Sequence, residues 1–380
     1  MGNESLSVSL GVAGYSIRQR LGQILWNWKL CGQCVGQPTC NTVDCAWNQG
    51  NRGDAFWAHY EHLSAAYCPE RLATRAALSN HEELLVVLEG VKTRPEMPRK
   101  DILRVLIERD DQEDRKPPTS RDQNQTFNIA ASLAYLMDLG VLHDAANISS
   151  ASFPLVSWRD DVSGETFLNE ALPCRPTSSN IPGTMPDLRA TKLKKHAKLK
   201  FMATNDIRSH LQLDKKQKII WIFHHSTALR QLLLATEDDA STSILPRSLM
   251  LEVLDTIHNV LFPSDLESQL LLAHLVAKHG WDQGLSSDMS IRYRKDDDLG
   301  VSYAYYGERL EELYKELLAP TPHGRLERRL RRRSEKYMFT ATMYGVIIAV
   351  TLGVFTLAAA IFQSWVAWQQ WKHPVRLEDE

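Results

Sequence analysis

The sequence predicts a mainly α-helical cytosolic domain with a small β-hairpin, followed by one C-terminal transmembrane helix. Three features support this fold class. Before residue 320, apolar side chains recur mostly at helical spacing between recognisable caps and breaks. One short run, Ile219 to Phe223, is apolar throughout and follows a polar turn, which is typical of a strand. From Tyr337 to Trp371 the chain has no Asp, Glu, Lys or Arg.

Length and composition are those of a globular protein. The chain has 380 residues, of which 43% are hydrophobic and 24% are charged, so it is not expected to be disordered. It is long enough for one large domain or two moderate ones. Its net charge of −2 gives no argument for nucleic-acid binding, and no nucleic-acid partner is expected.

Composition divides the chain into seven segments. Prolines, glycines, charge runs and the apolar stretch mark their boundaries. The segments are an N-terminal amphipathic and Cys-rich segment (1–54), a helical region (55–172), a Pro-rich loop (173–190), a helical region with the β-hairpin (191–322), a basic juxtamembrane helix (323–337), a transmembrane helix (338–371) and a short acidic tail (372–380).

Helices in the first half are predicted from apolar periodicity. Tyr15–Leu30 places Leu21 and Ile24 on one face, which would pack on its own domain or lie in a membrane interface. A loop rich in Gly, Asn, Gln and Cys follows, from 31 to 54. Further helices are predicted at 71–78, 81–89, 101–108, 123–139 (closed by Gly140) and 166–171.

The second half is more regular. The segment 192–200 is predicted to be helical, and the hairpin joins Leu211–Leu213 to Lys218–Phe223. The remaining helices are predicted at 228–235, capped by Ser226 or Thr227; at 247–261, between Pro246 and Pro263; at 265–279, between Ser264 and Gly280; and at 302–318, ended by Pro320.

The C-terminal apolar segment is long enough to cross a bilayer. Met338–Phe362 spans 25 residues, or about 37 Å as a helix, against a hydrocarbon core of about 30 Å. Its eleven Leu, Ile, Val and Phe residues favour insertion by several kcal/mol, at about −0.3 to −0.6 kcal/mol each. A buried core helix of a soluble domain is the alternative, and the length argues against it.

The flanks of this segment predict its orientation. Seven basic and two acidic residues lie between Arg325 and Lys336, whereas the chain ends in Glu378, Asp379 and Glu380. Basic residues beside a span favour the cytoplasmic side. We therefore expect a tail-anchored protein with a cytosolic N-terminal domain, in the endomembrane system or plasma membrane. The juxtamembrane basic residues are Arg325, Arg328, Arg329, Arg331, Arg332, Arg333 and Lys336.

Four cysteines are the best metal-ligand candidates. Cys31, Cys34, Cys40 and Cys45 have the spacing C-x2-C-x5-C-x4-C, and four thiolates can complete a tetrahedral zinc shell. Only the first pair has the spacing of a zinc knuckle, so unliganded thiols, or lipidation beside an amphipathic helix, are alternatives. Cys68 and Cys174 are isolated and are predicted to be structural.

The pair His224–His225 follows the predicted strand and precedes a helix, where catalytic or ligand groups often lie. A hydrolase or metal site would need further carboxylate or His partners, and the chain contains no G-x-S-x-G, H-E-x-x-H or P-loop motif. The alternative is capping or packing histidines. No catalytic residue and no cofactor-binding residue is assigned.

Two surface patterns concern the membrane. Small residues recur every four positions in the span, at Ala341, Gly345, Ala349 and Gly353, and such a ridge allows close helix packing and a homodimer. The ridge also fits chance composition. Lysines at 192, 194, 195, 198 and 200 are interpreted as a solvated face or as a contact for anionic lipid.

Several segments resemble a known family. Phe223-His-His-Ser-Thr-Ala-Leu-Arg-Gln-Leu-Leu-Leu234, Tyr305-Tyr-Gly-Glu-Arg-Leu310 and Trp371-Lys-His-Pro374 are similar to a fungal family of uncharacterised proteins with a single C-terminal transmembrane span. The resemblance covers about 124–375, is strongest after Leu211 and leaves out the Cys-rich stretch. It implies the same membrane architecture and no particular activity.

The functional hypothesis is therefore an interaction or adaptor module on a membrane. The bilayer and an unidentified protein are the expected partners. A membrane-tethered enzyme or metal-binding protein with a site near His224 and His225 is the alternative. Further polar groups around that pair would favour the enzyme, and an apolar environment would favour the adaptor.

Overall fold

The computed structural model describes most of the chain. The described residues are 10–42, 45–50, 54–69, 76–108, 117–141, 157–175, 185, 187–236, 243–286, 294–295, 298, 302–321 and 325–372. The side chains of 49–50 and 325–341 are outside this description. The chain divides into two compact units, Met1–Pro320 and Thr321–Glu380.

The first unit is mainly helical with one small sheet, so the predicted fold class is confirmed. Its helices are α1 (Tyr15–Trp26), α2 (Ala46–Gly50), α3 (Asp54–Ala65), α4 (His81–Thr93), α5 (Arg99–Leu103), α6 (Ser120–Tyr135), α7 (Gly164–Ala171), α8 (Ala190–His196), α9 (Ser226–Ala235), α10 (Arg247–Asp255), α11 (Leu266–His279) and α12 (Gly307–Leu318). The helices α5 and α10 continue as π-helical turns at Arg104–Glu108 and Thr256–Leu261.

The predicted hairpin is present within a three-stranded sheet of order β1-β3-β2. The strands are β1 (Lys200–Thr204), β2 (Gln212–Asp214) and β3 (Ile219–Phe223). β2 pairs antiparallel with β3, while β1 lies parallel to β3 with Thr204 opposite Phe223. The side chains of Ile220 and Ile222 are fully buried, so β3 carries the sheet's core face.

The core of the N-terminal half is built on aromatic rings. Helix α1 packs on α4 and α9, and α4 packs on α6. Trp26 and Trp28, from the end of α1, contact Trp57 of α3 at ring-centroid distances of 5.7 and 6.4 Å, and Trp47 of α2 lies 5.9 Å from Trp28. Helix α1 therefore packs on its own domain and is not a free interfacial helix.

The second unit contains one long helix, α13 (Arg325–Lys372). The predicted basic segment and the apolar segment are thus continuous, as expected from the lack of Gly-Pro breaks between them. Within the described residues, one stretch is long and apolar enough to cross a membrane, the 31 residues Thr342–Lys372. All side chains from 342 to 365 are exposed.

Several predicted boundaries are wrong. The predicted helix 192–200 ends at His196, and Lys200 instead begins strand β1. This segment is a strand because it pairs with β3, which places the side chain of Phe201 in the core. Helix α6 ends at Tyr135, where Leu136 adopts a left-handed conformation (φ 51°), four residues before Gly140. Helix α3 was not predicted, although its buried positions 56, 57, 60 and 63 follow helical spacing.

Two further predictions differ from the structure in detail. The cap of α11 is Asp265, whose Oδ1 accepts the N–H of Ser268, rather than Ser264. The predicted helix 71–78 falls mostly outside the described residues, and 76–78 are not helical. Gly280, predicted to end α11, does so with a φ of 64° that favours glycine.

Candidate metal centre

The loop between α1 and α2 brings the four predicted cysteines together. Two short turns shape it: the N–H of Cys34 donates to the carbonyl of Cys31 at 3.3 Å, and the N–H of Cys45 donates to the carbonyl of Thr42 at 3.2 Å. Gly36 has a φ of 73°, which reverses the chain directly after the first cysteine pair. Each turn thus directs cysteine side chains toward a common point.

All four Sγ atoms lie within 4.8 Å of one another. Cys31 Sγ is 3.4 Å from Cys40 Sγ, and Cys34 Sγ is 3.6 Å from Cys45 Sγ. Four ligands at the usual Zn–S distance of about 2.3 Å in a tetrahedron would be separated by about 3.8 Å. A disulfide would need about 2.05 Å. The sulfur set therefore has the size of a shell around a single tetrahedral ion.

Burial and mutual contact set the chemistry of these thiols. Cys34 and Cys45 are buried, and Cys31 and Cys40 are partly exposed. Hydrogen bonds from the thiols of Cys40 and Cys34 lower the pKa of Cys31 to about 6, whereas burial and the adjacent sulfurs raise the pKa of Cys34 to about 12. The pKa of Cys45 is also lowered, because its burial is outweighed by hydrogen bonds from the backbone and from neighbouring thiols. The thiolates of Cys31 and Cys45 are thus favoured, and ionising all four thiols requires a cation.

The surrounding residues hold the loop in place. The indole Nε1 of Trp47 donates to the carbonyl of Gln37 at 3.0 Å, and the N–H of Thr42 lies 3.4 Å from Cys40 Sγ. Trp47 is fully buried, so this end of the loop is fixed to the aromatic core. The second cysteine pair, Cys40 and Cys45, lacks the C-x2-C spacing of a zinc knuckle. Instead, the turn at Thr42 and the start of α2 position Cys45 beside the other cysteines.

The other two cysteines are not part of this cluster. Cys68 and Cys174 were predicted to be structural, but both are exposed. Each lies in a loop segment rather than on the buried face of a helix or strand. They do not contribute to the core.

The pair His224–His225 lies where two parallel strands end. β1 and β3 finish side by side, so Asn205 and His224, which directly follow them, meet at the same edge of the sheet. Asn205 Oδ1 lies 2.9 Å from Nε2 of His224 and 2.9 Å from Nε2 of His225. Asn205 was missed in the sequence because β1 was not recognised.

Polar groups and aromatic rings both contact the histidine pair. Nδ1 of His224 accepts the N–H of Asp282 at 3.3 Å, so its Nε2 carries the hydrogen and donates to Asn205. His59 of α3 stacks on His225 with ring centroids 5.3 Å apart, and Phe223 makes an edge contact with the same ring. Among the described residues, Nδ1 of His225 and Nδ1 of His59 have no hydrogen-bond partner.

These imidazoles are held in the neutral form. Burial lowers the pKa of His224 and of His59 to about 4, and it lowers the pKa of fully buried His225 further. A general base is most effective with a pKa near the working pH. The cluster is therefore better suited to packing than to proton transfer near neutrality.

Asp255, at the end of α10, and His258, in the π-helical turn that follows, both have polar partners. Asp255 accepts hydrogen bonds from Asn259 at 2.6 Å, Arg294 at 2.7 Å and Tyr303 at 2.5 Å. His258 lies 3.1 Å from a guanidinium nitrogen of Arg230. The carboxylate of Asp255 thus links its own helix to the segments that carry Arg294 and Tyr303.

The predicted surface patterns are seen in part. The lysines at 194, 195, 198 and 200 are exposed, as expected of a solvated face, and Lys192 pairs with Asp187.

In the apolar part of α13, an added Cβ at Gly345 or Gly353 would meet no atom within 4 Å. The hydroxyl of Thr356 donates to its own helix, at Leu352 and Gly353. Ala341 and the seven juxtamembrane basic residues lie outside the described side chains.

No known protein family, curated protein or solved structure matches this chain. The resemblance to the fungal family stays a prediction.

Proposed function

We propose that this chain is a tail-anchored membrane protein whose helical domain acts as an interaction or adaptor module at the cytosolic surface. The observation that carries the proposal is the exposed apolar helix. Thr342–Lys372 presents bulky apolar side chains in all directions, including Ile347, Phe355 and Ile361, each more than half exposed. Exposing apolar side chains all around an ordered helix to water is unfavourable, whereas the hydrocarbon core of a bilayer solvates them.

The charges beside the span support the orientation. Seven basic and two acidic residues precede the apolar part of α13 within one helix, whereas two basic and three acidic residues follow it. Excess Lys and Arg are retained on the cytoplasmic side, so the domain is assigned to the cytosol. The membrane belongs to the endomembrane system or is the plasma membrane. The same architecture is implied by the resemblance to the fungal family.

We further propose that Cys31, Cys34, Cys40 and Cys45 bind one zinc ion. Four sulfurs within 4.8 Å fit a single soft cation of tetrahedral preference. Sites with four protein ligands leave no position for a substrate or an activated water and are structural. A zinc site of this kind would stabilise the fold of a binding module, and it would not act in catalysis.

The adaptor role is tested by proximity labelling. The intact chain and a chain truncated after His323 are each fused to a labelling enzyme at the N-terminus and expressed at equal levels. A third fusion carries a Leu/Ala span of equal length in place of 338–371. We expect the intact chain and the replaced span to label a shared set of membrane-associated proteins that the truncated chain does not label. Identical labelling by all three would contradict a role that depends on anchoring.

The zinc centre is tested by metal analysis of the purified intact chain in detergent. We expect about one zinc per chain for the wild type, and loss of the metal in the variants Cys34→Ser and Cys45→Ser. The matched controls are Cys68→Ser and Cys174→Ser, which change exposed cysteines outside the cluster. Substoichiometric zinc in the wild type, or equal zinc in all four variants, would show that the cluster is not a metal site.

A further inference from the structure

The proposed zinc site is connected to the domain core by one side chain that does not touch the sulfurs. Gln19 lies on α1 and is 1% exposed. Its Nε2 donates to the carbonyl of Cys34 at 2.7 Å and to the carbonyl of Gln37 at 3.3 Å, while its Oε1 accepts the N–H of Gly36 at 2.8 Å. The amide thus spans the whole turn that follows the first cysteine pair.

These hydrogen bonds use the full capacity of the amide to donate. Both N–H groups are directed at carbonyls of the loop, and the oxygen accepts from the residue between them. Cys34 is the most buried of the four sulfurs at 1% exposed, and its carbonyl makes the shortest of the three contacts. Fixing that carbonyl restricts the backbone of Cys34, and thereby the direction in which its Sγ can be presented.

The position of Gln19 is itself firmly set. Leu21 and Leu25 of the same helix are buried, and α1 packs on both α4 and α9. The carbonyl of Gln37 is held a second time, because it also accepts a hydrogen bond from Nε1 of Trp47 at 3.0 Å. The turn Cys34–Gln37 is therefore clamped between a residue of α1 and a residue of α2, and α1 contributes to the site although it supplies no ligand.

We infer that Gln19 is the outer-shell positioning residue of the four-cysteine site, holding the turn Cys34–Gln37 in the geometry that binds the metal. The inference rests on the proposed zinc site and adds a residue 12 positions before the first ligand. Outer-shell partners of metal ligands orient them, and their loss typically weakens metal binding by about 10- to 100-fold.

The test compares two glutamines on one helix. Gln23 lies one turn after Gln19 on α1 and is exposed, so Gln23→Ala is a matched control for Gln19→Ala. The intact chains, in the same detergent, compete for zinc against a chromophoric chelator. We expect affinity to fall by about 10- to 100-fold for Gln19→Ala and to stay at the wild-type value for Gln23→Ala.

A second variant separates the donor role from simple packing. Gln19→Glu keeps the size and an acceptor for Gly36 but cannot donate to the two carbonyls, and it adds negative charge beside the thiolates. We expect it to weaken zinc binding at least as much as Gln19→Ala. It also keeps the test decisive if Gln19→Ala does not fold, which far-ultraviolet circular dichroism would show.

Cobalt(II) provides a readout that stability alone does not change. At saturating cobalt, the d–d bands report the geometry of the four-sulfur shell. We expect a wild-type spectrum for Gln23→Ala and an altered band shape for Gln19→Glu. Equal zinc affinity and equal cobalt spectra across wild type and all variants would overturn the positioning role while leaving the zinc site intact. A wild-type chain that binds neither metal would overturn both.

Discussion

At the level of single residues, a buried ion pair joins the sheet to the last helix of the domain. Lys218, directly before β3, places Nζ 2.7 Å from Oε1 of Glu316 on α12. The two side chains are only 7% and 3% exposed. Such a pair contributes little net stability when complete, but removing one partner leaves a buried charge without compensation.

We predict that Glu316→Gln destabilises the domain by about 3–5 kcal/mol, because Lys218 then remains buried without its counter-ion. The matched control is Glu311→Gln on the same helix, where the partner Lys315 is 77% exposed. The control should cost at most about 0.5 kcal/mol. Denaturant unfolding followed by tryptophan fluorescence measures both. Equal free energies of unfolding for the two variants would contradict the prediction.

The buried histidines make stability depend on pH. In the folded chain the pKa of His59 and of His224 is lowered to about 4 by burial, and the pKa of His210 and of His225 is lowered well below its usual value. The unfolded chain takes up these protons at about pH 6.5, and the folded chain does not. The stabilisation is therefore complete above about pH 6.5 and decreases as the pH falls toward 4.

We predict that the free energy of unfolding falls by about 1.4 kcal/mol per pH unit for each such histidine between about pH 6 and pH 4.5. Glu252 acts in the opposite direction, because burial raises its pKa to about 7, but it is one group against four. His59→Gln should reduce the slope, and the control His274→Gln, an exposed histidine of α11, should leave it unchanged. Stability that is constant over this range would contradict the prediction.

At the level of elements, most helices were predictable, and their exact ends were less so. The helices α4, α9, α10 and α11 lie where apolar spacing, prolines and glycine place them. The caps of α9 and α11 are His225 and Asp265, not the predicted Ser226 or Thr227 and Ser264. The start of α12 was not predictable, because the N–H groups of the two residues directly before it are satisfied by a residue distant in sequence. Glu252 of α10 accepts the N–H of Tyr305 at 3.0 Å and that of Tyr306 at 2.5 Å.

In the sheet, too, one pairing was predictable from local sequence and the other was not. A turn and an apolar run were enough to predict the antiparallel pair β2 and β3. The parallel partner β1 is the short run Lys-Phe-Met-Ala-Thr after a basic helix, and its strand conformation depends on pairing with β3. The position of Asn205 beside His224 follows from that pairing, so this contact was outside the reach of local sequence patterns.

The apolar part of α13 gives a prediction about self-association. Gly345 and Gly353 have open space where a Cβ would be, so Gly345→Ile together with Gly353→Ile does not disturb the single helix sterically. We expect the double variant to lose dimer signal in a membrane two-hybrid or crosslinking assay, because larger side chains separate the backbones.

The control for this experiment is Ala358→Ile. Position 358 is nine residues after Ala349, about 180° away around the helix, so the same kind of enlargement falls on the opposite face. It should leave the signal unchanged. A dimer signal that is equal in wild type and double variant would show that the small residues are only composition.

At the level of the whole molecule, the orientation of the span determines which compartment the domain occupies. The chain contains N-glycosylation sequons at Asn3, Asn124 and Asn147. Asn3 and Asn147 lie outside the described residues. The amide oxygen of Asn124 accepts a hydrogen bond from Arg99 at 2.5 Å. The sequons can be modified only if the domain enters the lumen.

We predict that the wild-type chain carries no N-glycan, because the basic residues before the span retain the domain in the cytosol. Reversing their charge should produce mixed orientation and an endoglycosidase-sensitive mass shift in part of the population. The variant changes five residues to Glu: Arg328, Arg329, Arg331, Arg332 and Arg333. A glycan on the wild type, or unchanged orientation and insertion of the variant, would contradict this assignment.

The sequence by itself determined the class of the molecule, a helical domain with a small hairpin and one C-terminal apolar helix. These properties are local, since they depend on apolar periodicity, caps and an uninterrupted apolar run. It also supplied the four cysteines as candidates without deciding between a metal site and free thiols. The tertiary structure decided that their sulfurs converge, because the turns at Gly36 and Thr42 and the supports from Gln19 and Trp47 join segments that no single spacing describes.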